Sequence, residues 1–124
     1  EEVGVLICPE VGPEVIAGSS RLKAGTAQKM VLNMLTTGAM IKIGKTYENF
    51  MIDLQATNEK LKDRAINIVS QIADVPFAVA YEKLVSCNWK IKTAIVSLKL
   101  NIENEDAERK LTLKNGVLRK VIKV

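Results

Sequence analysis

The stretch 12–29 combines glycines, hydroxyl groups and cations in a pattern typical of an anion-binding helix start. Ser19 and Ser20 can donate hydroxyl hydrogens, and the planar guanidinium of Arg21 can hold two oxygens of one anion. Because a helix N-terminus carries unpaired N–H groups and the positive end of its dipole, Arg21 and Lys23 are unfavourable there unless an anion binds. The pattern predicts a phosphate-type site. The alternative is a serine N-cap beside solvated cations.

Composition limits the chemistry that this chain can perform. Its 124 residues are 48% hydrophobic, which suffices for one packed domain or for pieces of two. The absence of histidine excludes Ser–His and Cys–His pairs, so proton transfer would need carboxylates or lysines. Cys8 and Cys87 are far apart and in no metal-ligand spacing, so we expect neither a disulfide nor a metal site. Two free thiols favour a reducing, cytoplasmic setting.

Neither a membrane nor a nucleic acid is an expected partner. The longest mostly apolar stretch, 30–43, contains Asn33, two threonines and Lys42, and is too short and too polar to span a bilayer. The net charge is +4, and the basic excess lies in residues 45–124. The acid-free end of the chain carries Arg109, Lys110, Lys114, Arg119, Lys120 and Lys123. Since aromatic residues make up only 4% of the chain, a solvated basic face is favoured over nucleic-acid binding.

The first apolar run predicts a strand whose sheet lies elsewhere. Val3–Cys8 is rich in β-branched residues and ends at Pro9, as in strands buried on both faces of a parallel sheet. No second convincing strand follows, and a lone strand would leave its backbone unpaired. Together with the missing initiator methionine, this predicts the C-terminal part of a longer protein.

The remaining pattern predicts a mostly α-helical chain. A helix from about Ser20 to Ile43 is apolar on most sides, which indicates burial by more than one partner, and Gly44 can end it. We interpret 45–54 as a connector. Five short helices are expected after the connector. The first covers about 58–73, the second begins after a cap at Asp74 with Pro76 in its first turn, and the third begins after a cap at Asn88. The fourth runs from Asn104 to just before Gly116, and the last covers 117–122. Their apolar stripes include Ala65, Ile68, Val69, Ile72, Ala80, Tyr81, Leu84, Val85, Ile91, Ala94, Ile95 and Leu98.

The segment Gly12–Leu35 closely resembles the signature of the N-acetylmuramic acid 6-phosphate etherases and of the related glucokinase regulatory protein. The signature's usual Ser-Thr-Arg is Ser19-Ser20-Arg21 here, a departure that keeps the hydroxyl group. The resemblance covers essentially the whole chain and favours the etherases. Further matching segments are Thr37–Met40, Gly44–Lys45, Asn49, Ala56–Leu61 and Lys92–Val96.

The resemblance implies a two-part architecture. In the family, a sugar isomerase (SIS) domain, a three-layer α/β sandwich, precedes a small helical region similar to a ubiquitin-associated fold. Residues 1–44 would be the last strand and long helix of the SIS domain, 45–54 a connector, and 55–124 the C-terminal helical subdomain. Most of the SIS domain would then lie outside this chain.

The resemblance also implies a lyase reaction in cell-wall amino-sugar recycling. The etherases are cytoplasmic homodimers that cleave the D-lactyl ether of N-acetylmuramic acid 6-phosphate without metal or organic cofactor. Their acid and base glutamates lie upstream, so we expect no catalytic residue here and no activity of the chain alone. The loop that approaches the sugar phosphate in the family is matched by Ser19, Ser20, Arg21 and Lys23. Glu14 and Thr26 would lie behind this loop and hold it in place without contacting the phosphate. The alternative is a non-catalytic module that responds to sugar phosphates or binds a protein.

Overall fold

The computed structural model describes residues 4–122, which are mostly helical. Their contacts divide the chain into two units, Glu1–Ala39 and Met40–Val124. Two short strands, β1 (Thr46–Tyr47) and β2 (Phe50–Met51), pair antiparallel, with Thr46 opposite Met51. The helices are α1 (Lys23–Lys42), α2 (Glu59–Ala73), α3 (Phe77–Ser86), α4 (Ile91–Leu100) and α5 (Asn104–Leu113), followed by a 3₁₀ turn at Leu118–Lys120. The predicted helical character is confirmed.

The predicted strand Val3–Cys8 does not form among its described residues, 4–8. Val5 and Leu6 are 80% and 81% exposed, and Val3 lies outside the described residues. A strand requires a neighbour that accepts and donates its backbone hydrogen bonds. Because β1 and β2 pair only with each other, the described chain supplies no such neighbour. The sequence analysis placed the partner strands outside this chain, so the strand stays a prediction for a longer protein.

Helix α1 forms as predicted but is not buried by the described part of the chain. It begins at Lys23, three residues later than expected, and contains no buried residue. Its exposed apolar side chains are Met30, Leu32, Met34, Leu35, Met40 and Ile41. The expectation that several partners cover this helix is thus not met by residues 4–122.

Gly44 joins α1 to the second unit through a backbone conformation that suits glycine. Its N–H donates to the Ile41 carbonyl at 3.1 Å, and its φ is +73°, as expected for a helix terminator. A Cβ atom at this position would lie 2.9 Å from Cγ2 of Val117. Glycine is therefore required both by the turn and by the close packing of Val117.

The core of the second unit is built around α4, whose Ala94, Ile95 and Val96 are fully buried. Tyr47 and Ile52 also belong to this core, with 6% and 1% exposure. The segment predicted as a connector is therefore a hairpin packed into the second unit. Other members of the core are Ala65, Ile68, Val69, Ile72, Ala80, Leu84, Cys87, Ile91, Ala107, Leu111, Leu118 and Ile122.

Several helix ends match the sequence expectations. Asn58 caps α2, with its Oδ1 accepting a hydrogen bond from the Leu61 N–H at 2.9 Å. Glu105 and Asp106 lie in the first turn of α5, where acids complement the helix dipole, and Gly116 follows its end with φ +69°. On α3, however, Tyr81 is half exposed instead of buried.

Two predicted N-caps are wrong. Asp74 ends α2 instead of starting α3: its φ is 57° and its N–H donates to the Ser70 carbonyl. Pro76 occupies the N-cap position of α3. Similarly, Asn88 adopts φ 51° in the turn before α4, and Lys90 is the N-cap residue there. Asp and Asn tolerate the left-handed conformation, so the same residue types serve helix ends as well as helix starts.

Asp53 links three parts of the second unit. Its carboxylate pairs with Lys45 and, at 3.1 Å, with the Nζ of Lys92 on α4. Lys92 also donates to the Gly116 carbonyl at 3.0 Å. Burial by itself would raise the pKa of Asp53, but hydrogen bonds and charges from the two lysines outweigh it and hold the pKa below its usual range. Asp53 therefore stabilises the fold in its charged form.

We expect Asp53→Asn to lower the free energy of unfolding at pH 7 by about 1–2 kcal/mol, since charge-assisted bonds at a partly exposed site are lost. A depressed folded-state pKa stabilises the fold above the ordinary Asp pKa of about 3.9. The difference in unfolding free energy between wild type and the variant should therefore be largest at neutral pH and should shrink as the pH falls through the folded-state pKa of Asp53. Urea unfolding at pH 7 and pH 3 measures it. An equal loss from Asp63→Asn, on exposed α2 surface, would contradict the specific role of Asp53.

Candidate functional site

The start of α1 is capped by a carboxylate from earlier in the chain. Glu14 Oε2 accepts from the Lys23 N–H at 3.0 Å, and its Oε1 accepts from the Ala24 N–H at 2.9 Å. The next N–H, that of Gly25, donates to the Ser20 carbonyl at 2.8 Å. The Glu14 carboxylate thus occupies the N–H groups at the start of α1. A bound phosphate would therefore be held mainly by side chains.

Glu14 also closes the loop that carries the predicted site. Hydrogen bonds from the N–H groups of Ala24 and Lys23 lower the pKa of Glu14; its slight burial opposes this shift and the Lys23 ammonium adds to it. The carboxylate is therefore charged at neutral pH. Because it ties residue 14 to residues 23 and 24, it fixes both ends of the loop 15–22, which contains Ser19, Ser20 and Arg21.

The structure brings some of the predicted site residues together and separates others. Arg21, Lys23 and Thr26 line one shallow cleft of about 510 Å³. Ser20 lines a neighbouring cleft of about 400 Å³ with Ile7 and Pro9, and Ser19 lines neither of the two. The cationic residues therefore share a surface that the serines do not line.

Both cations of the Arg21 cleft are available to a ligand. Within the described chain, neither Arg21 nor Lys23 lies within ion-pair distance of a carboxylate, and both are exposed. The Thr26 hydroxyl already donates its hydrogen to the Leu22 carbonyl at 2.7 Å, so it has no hydrogen left to donate to a ligand. The arrangement can attract and orient an anion, while it offers no acid–base pair of its own.

We expect Glu14→Ala to fray the first turn of α1, because two helix N–H groups lose their charged acceptor. ¹³Cα chemical shifts of residues 23–26 should move toward coil values. In wild type, the helical ¹³Cα shifts of residues 23–26 should stay constant above the ordinary Glu pKa of about 4.3. They should move toward coil values as the pH falls through the lowered pKa of Glu14. Glu10→Gln removes the same charge nearby without a bond to α1, and an equal effect would exclude specific capping.

Sequence reasoning missed the caps and contacts that join distant residues. Glu14 lies nine and ten positions before the groups it caps, whereas side-chain caps are read within three or four positions. The pairing of Asp53 with Lys92 is likewise long-range.

Within residues 4–122, no three potential metal-ligating side chains come together, and no helix is long and apolar enough to cross a membrane.

Part of the second unit matches a known domain family, and the whole chain matches known enzymes. Residues 48–98 match the family described as the C-terminal lid domain of glucokinase regulatory protein. Across its full 124 residues the chain is 51% identical to an N-acetylmuramic acid 6-phosphate etherase from Clostridium acetobutylicum, covering 41% of that protein. This identity over the whole chain confirms the resemblance to the etherase family seen in the sequence.

Other etherases agree with this assignment. The Pseudoalteromonas atlantica enzyme is 51% identical over 113 residues, which are 91% of this chain and 37% of that protein. The Klebsiella aerogenes enzyme is 50% identical over 118 residues, which are 95% of this chain and 39% of that protein. The chain therefore spans about two fifths of the length of these relatives.

Proposed function

We propose that this chain is part of a cytoplasmic N-acetylmuramic acid 6-phosphate etherase. The reaction releases D-lactate from C3 of the sugar and leaves N-acetylglucosamine 6-phosphate. The observation that carries this proposal is the 51% identity to a named etherase over the entire chain. Because the chain spans two fifths of such proteins, we assign the activity to a longer protein and expect the chain alone to be inactive.

The proposed chemistry requires two carboxyl groups, which we place outside this chain. In the open-chain sugar, a carboxylate removes the C2 proton next to the aldehyde, lactate leaves from C3 with a proton from the second acid, and water adds to the double bond. No metal or organic cofactor takes part in this scheme. Within this chain, Arg21 and Lys23 would hold the phosphate, with Ser19 and Ser20 as further donors. Glu14 would fix the loop that carries them.

We further propose that residues 1–44 complete a SIS domain and that the protein is a homodimer. The uncovered apolar surfaces of the first unit support a protein partner for it. Ile7 and Leu6 are exposed in the first run, and α1 has no buried residue. Apolar faces of this extent are normally covered by protein.

Lactate release tests the proposed activity directly. The full-length protein is incubated with N-acetylmuramic acid 6-phosphate, and D-lactate is measured with a coupled dehydrogenase. We expect release by the full-length protein and none by the 124-residue chain. Absence of release from a full-length protein with a native circular dichroism spectrum would refute the proposal.

A second candidate is a non-catalytic module that senses sugar phosphates and binds a protein. The match of residues 48–98 to the lid domain of a regulatory protein favours it. This candidate predicts that the sugar phosphate binds without lactate release and changes the affinity for a protein partner. The lactate assay and calorimetry with the same sugar phosphate therefore separate the two functions.

A further inference from the structure

A cleft of about 590 Å³ lies within the second unit, and none of its lining residues belongs to the predicted phosphate site. It is formed by the segment after β2, the turn before α4, the start of α4, and one side of α5. Its volume falls within the range of small-molecule sites. Its uncharged polar side chains are those of Gln55, Thr57, Asn88, Thr93 and Thr112.

The charged groups of this cleft neutralise one another. Lys90 pairs with Glu108 at 2.8 Å, and Lys92 pairs with Asp53 at 3.1 Å, so both cations of the lining are matched by its two acids. A phosphate or nucleic acid would have to compete with these carboxylates for the lysines. The balance of charge favours an uncharged ligand.

The Thr93 hydroxyl is a polar group that a ligand could satisfy. Thr93 is 3% exposed and lines the cleft, and its hydroxyl forms no hydrogen bond with another described residue. Among the described residues no side-chain N or O atom is both fully enclosed and unpaired, so the Thr93 hydroxyl is not sealed off from solvent. Ser97, one turn later and 2% exposed, instead donates to the Ile102 carbonyl at 2.6 Å. A nearly buried hydroxyl without a protein partner is costly unless something else bonds to it.

The backbone of the cleft wall is strained at an aromatic residue. Asn88 and Trp89 have successive φ values of 51° and 59°, a conformation that asparagine tolerates and a bulky residue rarely adopts. The Trp89 indole is oriented by the Tyr81 ring, in an edge contact at 6.0 Å, and by the Lys62 ammonium at 5.5 Å. Strain of this kind clusters at ligand sites, and Trp89 is one of the residues that line the cleft.

We propose that this cleft binds an uncharged N-acetylhexosamine unit. Hydroxyl and amide side chains match the hydroxyl and acetamido groups of such a sugar, and an indole suits the C–H face of a pyranose ring. Thr93 donates to or accepts from the sugar, and Trp89 packs against it. The site is independent of the proposed etherase reaction and of the Arg21 cleft.

Trp89 is the single tryptophan of the chain, which makes it a local probe. The protein is labelled with 5-fluorotryptophan and titrated with methyl N-acetylglucosaminide, followed by ¹⁹F NMR. In a longer protein that contains this chain, Trp89→Phe assigns the resonance. We expect a saturable shift that inorganic phosphate and triglycine amide do not produce.

Two variants of α4 separate binding from folding. Thr93→Val should lower the sugar affinity about tenfold, the effect of one lost hydrogen bond, while its stability equals or exceeds that of wild type. Ser97→Ala should lower stability and leave the affinity unchanged. The proposal is overturned by an absence of saturation, by equal binding of phosphate or peptide, or by unchanged affinity of the Thr93 variant. None of these outcomes bears on lactate release, so this proposal and the etherase proposal fail separately.

Discussion

Replacing Gly44 by alanine is expected to destabilise the second unit by about 2–4 kcal/mol. The left-handed φ of +73° costs an alanine about 1–2 kcal/mol. The new methyl group would also lie 2.9 Å from Val117 Cγ2 and 3.0 Å from Val117 Cα, and relieving such an overlap in a packed site costs about 1–3 kcal/mol. Because the Val117 backbone is one of the crowded atoms, a rotamer change alone cannot remove the contact. Urea unfolding followed by circular dichroism measures the loss.

Gly38→Ala is the matched control, because Gly38 lies inside α1 and a Cβ there meets no heavy atom within 4 Å. Alanine should be neutral or stabilising by up to about 1 kcal/mol at this position. In the Gly44→Ala/Val117→Ala double variant, the contact with Val117 Cγ2 is removed, while the contact with the Cα of residue 117 and the φ penalty remain, so only part of the lost stability should return. If Gly44→Ala were as stable as Gly38→Ala, the close packing of Val117 on Gly44 would be refuted.

The helices of the second unit were predictable because local chemistry and tertiary packing agree there. Asn58 offers an N-cap, and Ala65, Ile68 and Val69 follow at helical spacing, so the sequence identifies both the start and the buried face of α2. Similarly, the acids of the first turn and Gly116 define the two ends of α5. The Asn58 cap, for example, acts on the backbone N–H of Leu61, only three positions away.

The sequence-based predictions stayed open or were wrong where the role of a residue depends on a distant partner, or where one residue type suits both the start and the end of a helix. The strand predicted for residues 4–8 depends on neighbouring strands outside the described chain, so it stays a prediction. Asp74 and Asn88 can cap a helix start or adopt the left-handed turn at a helix end, and the sequence does not distinguish the two. Tyr47 and Ile52 looked like connector residues because a two-residue strand pair is too short to show periodicity.

The candidate phosphate site was only partly predictable for the same reason. The types of Arg21 and Lys23 indicate an anion, and the structure leaves both exposed on one cleft. The capping of α1 by Glu14 depends on how the loop 15–22 folds back, which no local pattern specifies. Likewise, the charge-balanced cleft lined by Trp89 combines segments as far apart in the chain as Ile52 and Thr112.

Arg21→Ala in the full-length protein is expected to weaken sugar-phosphate binding by about 1–3 kcal/mol, the scale of a charge-assisted hydrogen bond. Arg21→Lys should recover part of this loss, because it keeps the charge and loses the planar pair of donors. Since Arg21 is exposed and forms no ion pair within the described chain, neither change should alter stability much. Isothermal titration calorimetry with N-acetylglucosamine 6-phosphate measures the affinity, and thermal unfolding checks the fold.

Lys29→Ala is the matched control for charge, since Lys29 is an exposed cation on α1 that does not line the Arg21 cleft. A general electrostatic attraction would make the Arg21 and Lys29 variants similar, and both losses would be small at physiological salt. A local site requires a large loss for Arg21 alone. Unchanged affinity of Arg21→Ala would remove Arg21 from the site and leave the phosphate to groups elsewhere in the protein, because the α1 N–H groups nearest Arg21 are already bonded to Glu14.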